Sequence, residues 1–374
     1  MDKKLELIKR NTEEIVTEEE LELFLKNKEK LKHYIGFEIS GKIHIGTGLM
    51  CMLKVKDFID AGIDCSIFLA DWHAWINDKL GGDRKIIKKV AVNYFKEGLK
   101  ASLKCVGANP SKIKFVLGSD LYHKNDDYWA TMIDVSKNVN LSRIQRSITI
   151  MGRKEGEAVD FAKLIYTPMQ VADIFYQGIN IAHSGLDQRK AHVVAREVAH
   201  KIKISPLLNK KKEKIKPVAI HHHLILGLKK PPMWPVPKEN LQELWATMKM
   251  SKSIPDSAIF ITDSSEEIKR KINQAFCPEK EAEFNPILDW CKNLIFPIKS
   301  ELKLNRPEKF GGSKIYKNYG KLEEDFLNGK LHPADLKNAA AEAIVKILEP
   351  ARKHFEQPKI KKMKDEMEKL MITR

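Results

Sequence analysis

Several things are scarce in this chain, and each scarcity closes off a class of protein. No stretch of about 20 consecutive apolar residues, the length that crosses a bilayer core, occurs in it. The first residues include Asp2, Lys3, Lys4 and Glu6 and no apolar run, so a secretory signal is excluded there and a cytoplasmic location is expected. Cysteine is rare: Cys51, Cys65, Cys105, Cys277 and Cys291 are odd in number and lack paired metal spacing, which suits reduced core thiols and argues against a zinc site. No internal repeat is present. Acid is short relative to base, 50 Asp and Glu against 66 Lys and Arg, leaving a formal charge of +16. That excess favours a polyanionic partner, with nucleic acid ahead of a membrane surface, although a lysine-rich background composition gives the same sign.

What is present supports a globular protein. At 374 residues and 43% hydrophobic content, the chain can bury a sizeable core and hold two or more domains. The organising stretch is Tyr34–Gly48. An apolar start meets breaks at Gly36, Ser40-Gly41 and Gly46, followed by a helical run with Leu49, Met52, Leu53, Phe58 and Ile59. Strand, glycine turn and helix together make a place for a phosphate, because glycine lets backbone approach a ligand and the N–H groups opening a helix favour anions. An ordinary βα turn accounts for the same glycines.

Residues 1–33 read as an N-terminal segment of two short helices, the second opened by Thr17 with Glu20 in a capping box. The apolar runs Cys65–Ala70 and Ile113–Leu117 read as buried parallel strands, the first followed by Asp71 and His73, with a helix from Arg84 to about Leu103 between them. The alternation predicts an α/β fold with a Rossmann-like, doubly wound parallel sheet over residues 34–230, whose ligands collect at the carboxyl ends of strands. Residues 120–165 break the rhythm and are expected to form a helical insertion, with a second half-sheet from near Tyr166. Pro217–Ile220 reads as a strand ending in His221, His222 and His223. Alternate side chains of a strand face opposite ways, so no metal site is expected from these three. Residues 231–258 form a proline-rich linker leading to Lys249-Met250-Ser251-Lys252-Ser253. From 259 to 350 the pattern becomes helical, with Leu336, Ala340, Ile344 and Leu348 on one face, and 351–374 reads as a helical tail whose docking is left open.

The His44-Ile-Gly46 turn after the first strand and the Lys249–Ser253 loop, in that order and separation, resemble the signatures of class I aminoacyl-tRNA synthetases. Further stretches sharpen this to the archaeal and eukaryotic type of tyrosyl-tRNA synthetase, over roughly residues 1–350: Tyr34–Glu38, Ala70–His73, Tyr166–Asp173, Gly185–Lys190 and Leu331–Asn338. The resemblance implies adenylate formation from tyrosine and ATP, with Mg²⁺ on the phosphates and no permanent protein-bound metal, followed by transfer to tRNA(Tyr). It implies catalytic roles for His44, Lys249 and Lys252, the lysines neutralising departing pyrophosphate on a loop that closes with ATP. ATP contacts are implied for Gly36, Gly46, Thr47, Met250, Ser251 and Ser253. Thr47 departs from the second histidine of many class I enzymes, which weakens or relocates the stabilisation that position supplies.

By the same resemblance, Tyr34 and Asp173 hold the substrate phenol, while Tyr166, Gln170 and Gln188 hold its α-amino group. A phenol both donates and accepts, which Asp173 and Tyr34 match. An indole N–H needs only an acceptor, so tryptophan is the lesser fit. Asp173 lies among Val171, Ala172, Ile174 and Phe175, where a structural carboxylate needs a hidden partner; Gln188 also suits a helix cap. On the RNA side, Phe310 and His332 are expected to stack on the first anticodon base and Asp335 to accept from its edge. If Pro333 opens a helix, Asp335 also offsets its dipole. Arg146 and Arg189 match residues at the first acceptor-stem pair, and the 120–165 insertion matches a homodimer interface.

Overall fold

In the computed structural model, residues 3–237, 245, 247–252 and 254–372 are described, the side chains of Phe310, Met371 and Ile372 excepted. Six strands form one sheet: β1 (Glu14–Val16), β2 (Lys32–Glu38), β3 (Asp64–Ala70), β4 (Ile113–Leu117), β5 (Ile181–Gly185) and β6 (Val218–His222), in the order β1-β6-β5-β2-β3-β4. All neighbours are parallel except β1, which runs antiparallel along β6 with Ile15 opposite Ile220. β2 pairs with β3 from Lys32↔Asp64 to Glu38↔Ala70 and on its other edge with β5, so chain direction through the sheet reverses beside β2. The crevice outside the carboxyl ends at such a reversal is where open α/β sheets bind ligands. β5 and β6 are buried at every position, as expected of strands covered on both faces.

The expected helices around the sheet form. The helix after the glycine turn starts at Gly46 with a wide turn and continues as Cys51–Asp60; that from Arg84 runs through a similar wide turn, Ala91–Phe95, to Cys105. At the N-terminus, Thr17 caps the second helix by accepting from the Glu20 N–H at 3.4 Å, the first half of the expected capping box, while the Glu20 carboxylate pairs with Arg196 at 2.6 Å. The two helices there, Lys3–Lys9 and Glu18–Lys26, flank β1, which was not anticipated because three residues are too few to display a period of two. The insertion is helical over Asp126–Lys137 and Leu141–Ser147, but Phe161–Tyr176 is one continuous helix, so position 165 falls inside an element. His221 and His222 do face opposite ways: His221 meets His192 and Glu14, while His222 meets His183 and Cys51.

The C-terminal part packs helices Ser265–Asn273, Pro286–Trp290, Tyr319–Leu327 and Pro333–Glu356, the last of these carrying Leu336, Ala340, Ile344 and Leu348 into the core. A short antiparallel pair not expected from sequence, β7 (Leu302–Leu304) and β8 (Lys314–Tyr316), brackets the Arg306–Gly312 turn. The tail forms a helix, Pro358–Ile372, and docks on the protein itself. Ile360 and Met367 are buried, Glu366 pairs with Lys89 at 2.8 Å, and Glu368 pairs with Lys42 at 3.0 Å beside the glycine turn. Among the described residues no helix is long and apolar enough to cross a membrane.

Candidate active site

A cavity of about 450 Å³ opens at the carboxyl ends of β2, β5 and β6. It gathers residues from widely separated parts of the chain: Tyr34, Gly36, His44, Gly46 and Thr47; Tyr166, Gln170, Asp173 and Gln188; and Lys249, Met250, Ser251 and Lys252. Ser253 lies outside the described residues.

At one end, helix Phe161–Tyr176 presents Tyr166, Gln170 and Asp173, spaced four and three apart and so on one helical face. Asp173 is fully buried, and the hidden partners its position demanded are Tyr122 and Tyr128, whose hydroxyls donate to its Oδ1 at 2.9 and 3.1 Å. Its Oδ2 makes no hydrogen bond and stands 3.8 Å from His73 Nε2, itself without a partner, and Oε1 of Gln170 makes none either; both are closed-off atoms of residues that line the cavity. Burial drives the Asp173 carboxyl well above the usual range, against the pull of the two phenol donors. Tyr34 enters from β2, its phenol pushed upward by burial and by the Asp173 charge. A Cβ on Gly36 would stand 3.2 Å from the Tyr34 hydroxyl, so the glycine keeps that group's surroundings open.

Tyr166 donates to Glu38 at 3.3 Å, and Glu38 also accepts from Asn77 at 2.8 Å. Glu38 thus puts a carboxylate into this end of the cavity, a role that its place in the Tyr34–Glu38 stretch did not reveal. Gln188 precedes helix Arg189–Val198 but makes no side-chain cap there; its amide instead donates to the Ile150 carbonyl at 2.9 Å.

The other end is cationic. Lys249 bonds to Asp187, and Lys252 reaches Ser40 across the mouth. Burial opposes ionisation of Asp187, but the charge and hydrogen bond of Lys249 hold its carboxyl below the usual range. The lysine loop is fastened from beneath, with Met250 N–H donating to the Ile225 carbonyl and Gly227 N–H to that of Met248. Sequence had left Asp187 without a role, although it stands in the quoted Gly185–Lys190 turn.

The His44 ring differs from expectation. Its Nδ1 accepts from the Thr47 N–H at 3.3 Å, which fixes the proton on Nε2, and Nε2 lies 3.2 Å from Thr47 Oγ1. Burial, with Lys252 and Lys249 nearby, lowers its pKa to about 3, so the ring is neutral. The His44 N–H is therefore directed to Thr47, whose own O–H remains to turn toward an anion. A Cβ on Gly46 would sit 3.0 Å from the imidazole, so this glycine protects the ring's position. Behind the turn runs a buried chain that sequence did not reveal: His33 to His183 at 3.1 Å, His183 to His222 at 2.8 Å, and His222 to the Cys51 thiol at 3.4 Å.

The remaining expected residues lie outside the cavity. Arg189 is held by both oxygens of Glu14 at 2.8 Å; Arg146 is exposed, and its carbonyl accepts from Lys190 at 3.0 Å. Pro333 does open a helix, which His332 caps by accepting the Ala334 N–H at 3.2 Å, while Asp335 in the first turn stands 3.8 Å from Arg306. The side chain of Phe310 falls outside the described residues.

Residues 26–349 match the family described as tRNA synthetases class I (W and Y). The chain belongs to that family. It is 57% identical over 359 residues to the tyrosine–tRNA ligase of Thermococcus sibiricus, covering 95% of each chain. A crystal structure of tyrosyl-tRNA synthetase complexed with L-tyrosine from Pyrococcus horikoshii superposes with a TM-score of 0.94 at 54% identity, covering 98% of this chain and 100% of that one. A tryptophanyl-tRNA synthetase from Aeropyrum pernix, 18% identical with a TM-score of 0.63 over 94% of this chain and 84% of that one, shares the fold alone. Within the family the chain stands with the archaeal-type tyrosyl-tRNA synthetases.

Proposed function

We propose the following division of labour for this tyrosine–tRNA ligase. The phenol of tyrosine binds between Tyr34 and Asp173, and its ammonium group binds Tyr166, Gln170 and Gln188 beside Glu38. The observation that carries this is the pair of buried, unpartnered acceptors, Asp173 Oδ2 and Gln170 Oε1. Buried polar atoms without partners cost about 1–3 kcal/mol each, so the cavity is built for a ligand that donates at both points. A phenol at one end of a substrate and an ammonium at the other meet that demand.

ATP lies along Gly36, Gly46, Thr47, Met250, Ser251 and Ser253, with Mg²⁺ carried on its phosphates and completed by water, as that ion prefers. The tyrosine carboxylate oxygen attacks the α-phosphorus and the bond to pyrophosphate breaks. Lys249 and Lys252 stabilise the charge that collects on the leaving group, and the Thr47 hydroxyl, oriented by His44, donates to a phosphate oxygen. A ribose hydroxyl at the 3′ end of tRNA(Tyr) then takes the tyrosyl group and releases AMP.

Arg146 and Arg189 approach the acceptor stem, and Phe310, His332 and Asp335 read the first anticodon base. Guanine suits this site because its pairing edge offers two neighbouring N–H donors. Exposed apolar residues on and beside the insertion, Ile133, Leu141 and Phe161, support a homodimer built through it. Translation in the cytoplasm is the setting.

The test is exchange of pyrophosphate into ATP with tyrosine, tryptophan and phenylalanine in parallel. Exchange with tyrosine alone is expected. Exchange with tryptophan alone would overturn the pocket, and none at all would leave an RNA-binding protein without this chemistry.

A further inference from the structure

Two lysine-rich segments far apart in sequence meet on the face opposite the cavity. Residues 26–32 carry four lysines and one glutamate, and residues 201–216 carry seven lysines and one glutamate, so these 23 positions hold a net +9 of the chain's +16. The first segment ends on Lys32, which opens β2; the second runs up to the start of β6; and Asn180, just before β5, holds the first by accepting from Lys32 N–H and donating to the Lys30 carbonyl, while its own carbonyl accepts from Val218 N–H just past the second. The segments are stitched directly as well. Lys210 donates through its ammonium to the Asn27 and Lys28 carbonyls, and through its backbone N–H to Glu29. Asn209 Oδ1 receives the N–H groups of Lys211 and Glu213 at 2.9 Å, shaping a tight turn. Glu20, near Lys216, Asp64, opposite Lys32 in the sheet, and Asp134 border the patch, and Asp134 is engaged by the N–H groups of Lys203 and Ile204.

Gathering this many like charges in a fixed shape opposes folding through self-repulsion, and the fold does not need them there, because the ammonium groups of Lys26, Lys28, Lys30, Lys201 and Lys203 stand on exposed residues. A polyanion removes the repulsion. The segments contain no arginine and no aromatic residue, so the patch is equipped for phosphates as point charges and not for stacking on or reading bases. Residues 201–216 form turns and extended chain, not an amphipathic helix, which argues for nucleic acid over a lipid surface even though Ile204 and Leu208 are exposed among the lysines.

We propose that this amino-end face is a second RNA-docking surface, which grips the phosphate backbone without regard to sequence. It lies across the sheet from the cavity, a strand length of roughly 20 Å away. RNA held there leaves the aminoacylation cleft of the same subunit open. The proposal does not depend on the anticodon reading.

The test measures binding of a labelled RNA hairpin with no single-stranded acceptor end, across a range of salt concentrations. Three proteins are compared: the unmodified chain, a Lys30→Glu/Lys203→Glu/Lys211→Glu variant, and a Lys359→Glu/Lys361→Glu/Lys362→Glu variant with the same charge change on the exposed side of the tail helix. The patch variant should bind about tenfold or more weakly near 0.1 M salt, with a salt dependence shallower by about 2 in log–log slope, while the tail variant stays within about twofold. Tyrosine-dependent pyrophosphate exchange should be unchanged in both and serves as the check on folding. If the patch variant loses exchange, glutamine replaces glutamate at the same three positions and the comparison is repeated. Unchanged hairpin binding, or an equal loss in both variants, overturns the proposal. So does tighter binding to vesicles containing phosphatidylserine than to the hairpin, which would make the face a lipid-binding one.

Discussion

The amino-acid end of the cavity and the C-terminal helical module use polar side chains in opposite ways. In the cavity, Asp173 is buried and Gln170 half-buried, and each leaves one buried acceptor atom without a hydrogen bond, so the fold carries an unmet demand whose shape describes a ligand. In the helical module, His332 is 63% exposed at the side chain and caps its own helix, and Asp335 already stands near Arg306. Residues of the second kind satisfy local structure first, and water serves them when no ligand is bound. A buried orphan atom points to a binding chemistry where its residue lines a cavity, as here and unlike Trp72 Nε1 or Arg352 Nη1, whereas an exposed, partnered residue does not announce its ligand.

The sharpest way to break this contrast is Asp173→Ala. Tyrosine activation should fall by about 10³-fold or more, because a buried phenol loses its charged acceptor, while circular dichroism stays native. Unchanged exchange would remove Asp173 from the pocket. Lys249→Ala should come next, lowering kcat of exchange by about 10²–10³ with little change in the tyrosine KM. A larger change in the tyrosine KM would mean that its pairing with Asp187 shapes the pocket.

The junction between the two regions has its own signature. His223 bonds Asp289 at 2.7 Å and lies 3.4 Å from Glu13; burial works against its charge, but these hydrogen bonds and charges outweigh it and raise its pKa to about 9. A pKa raised from 6.5 on folding means stabilisation that is complete below pH 6.5 and lost as pH rises through about 9. The amount is about 3 kcal/mol at most. Denaturant unfolding from pH 6 to 10 should show the decline, and His223→Gln should flatten it.

On the exposed side, Asp335→Ala should weaken charging of tRNA by about 10–100-fold and leave pyrophosphate exchange alone. Loss of both would make its role structural. The smallest effect belongs to Thr47→Ala, which takes one hydrogen-bond partner from a neutral His44 and should slow exchange by about 2–10-fold. With the hydroxyl gone, the His44 N–H is freed to donate in its place, and a loss near that of Lys249→Ala would show that it does not.

Much of the cavity was legible because its residues sit in short stretches with local reasons for their identity. Tyr166, Gln170 and Asp173 share a helical face by spacing alone, and Gly36 and Gly46 mark places where a Cβ would press on Tyr34 or His44. The partners of Asp173 were not legible. Tyr122 and Tyr128 lie 51 and 45 positions away in the insertion, and no local pattern links them to a carboxylate on another helix. The three-residue strands β1, β7 and β8 were missed because they are shorter than the pattern that would reveal them.

Local sequence was enough for the alternation of strands and helices, the cap at Thr17, the helix start at Pro333, and the presence of a phosphate-favouring turn and a lysine loop, because each follows from neighbours within a few residues. Only the tertiary structure decided that His44 spends its N–H on Thr47, that Lys249 rests on Asp187, and that two lysine segments nearly two hundred residues apart share one face. Those outcomes depend on where buried groups find partners and where like charges are brought together, and both are set by long-range packing that no local period encodes.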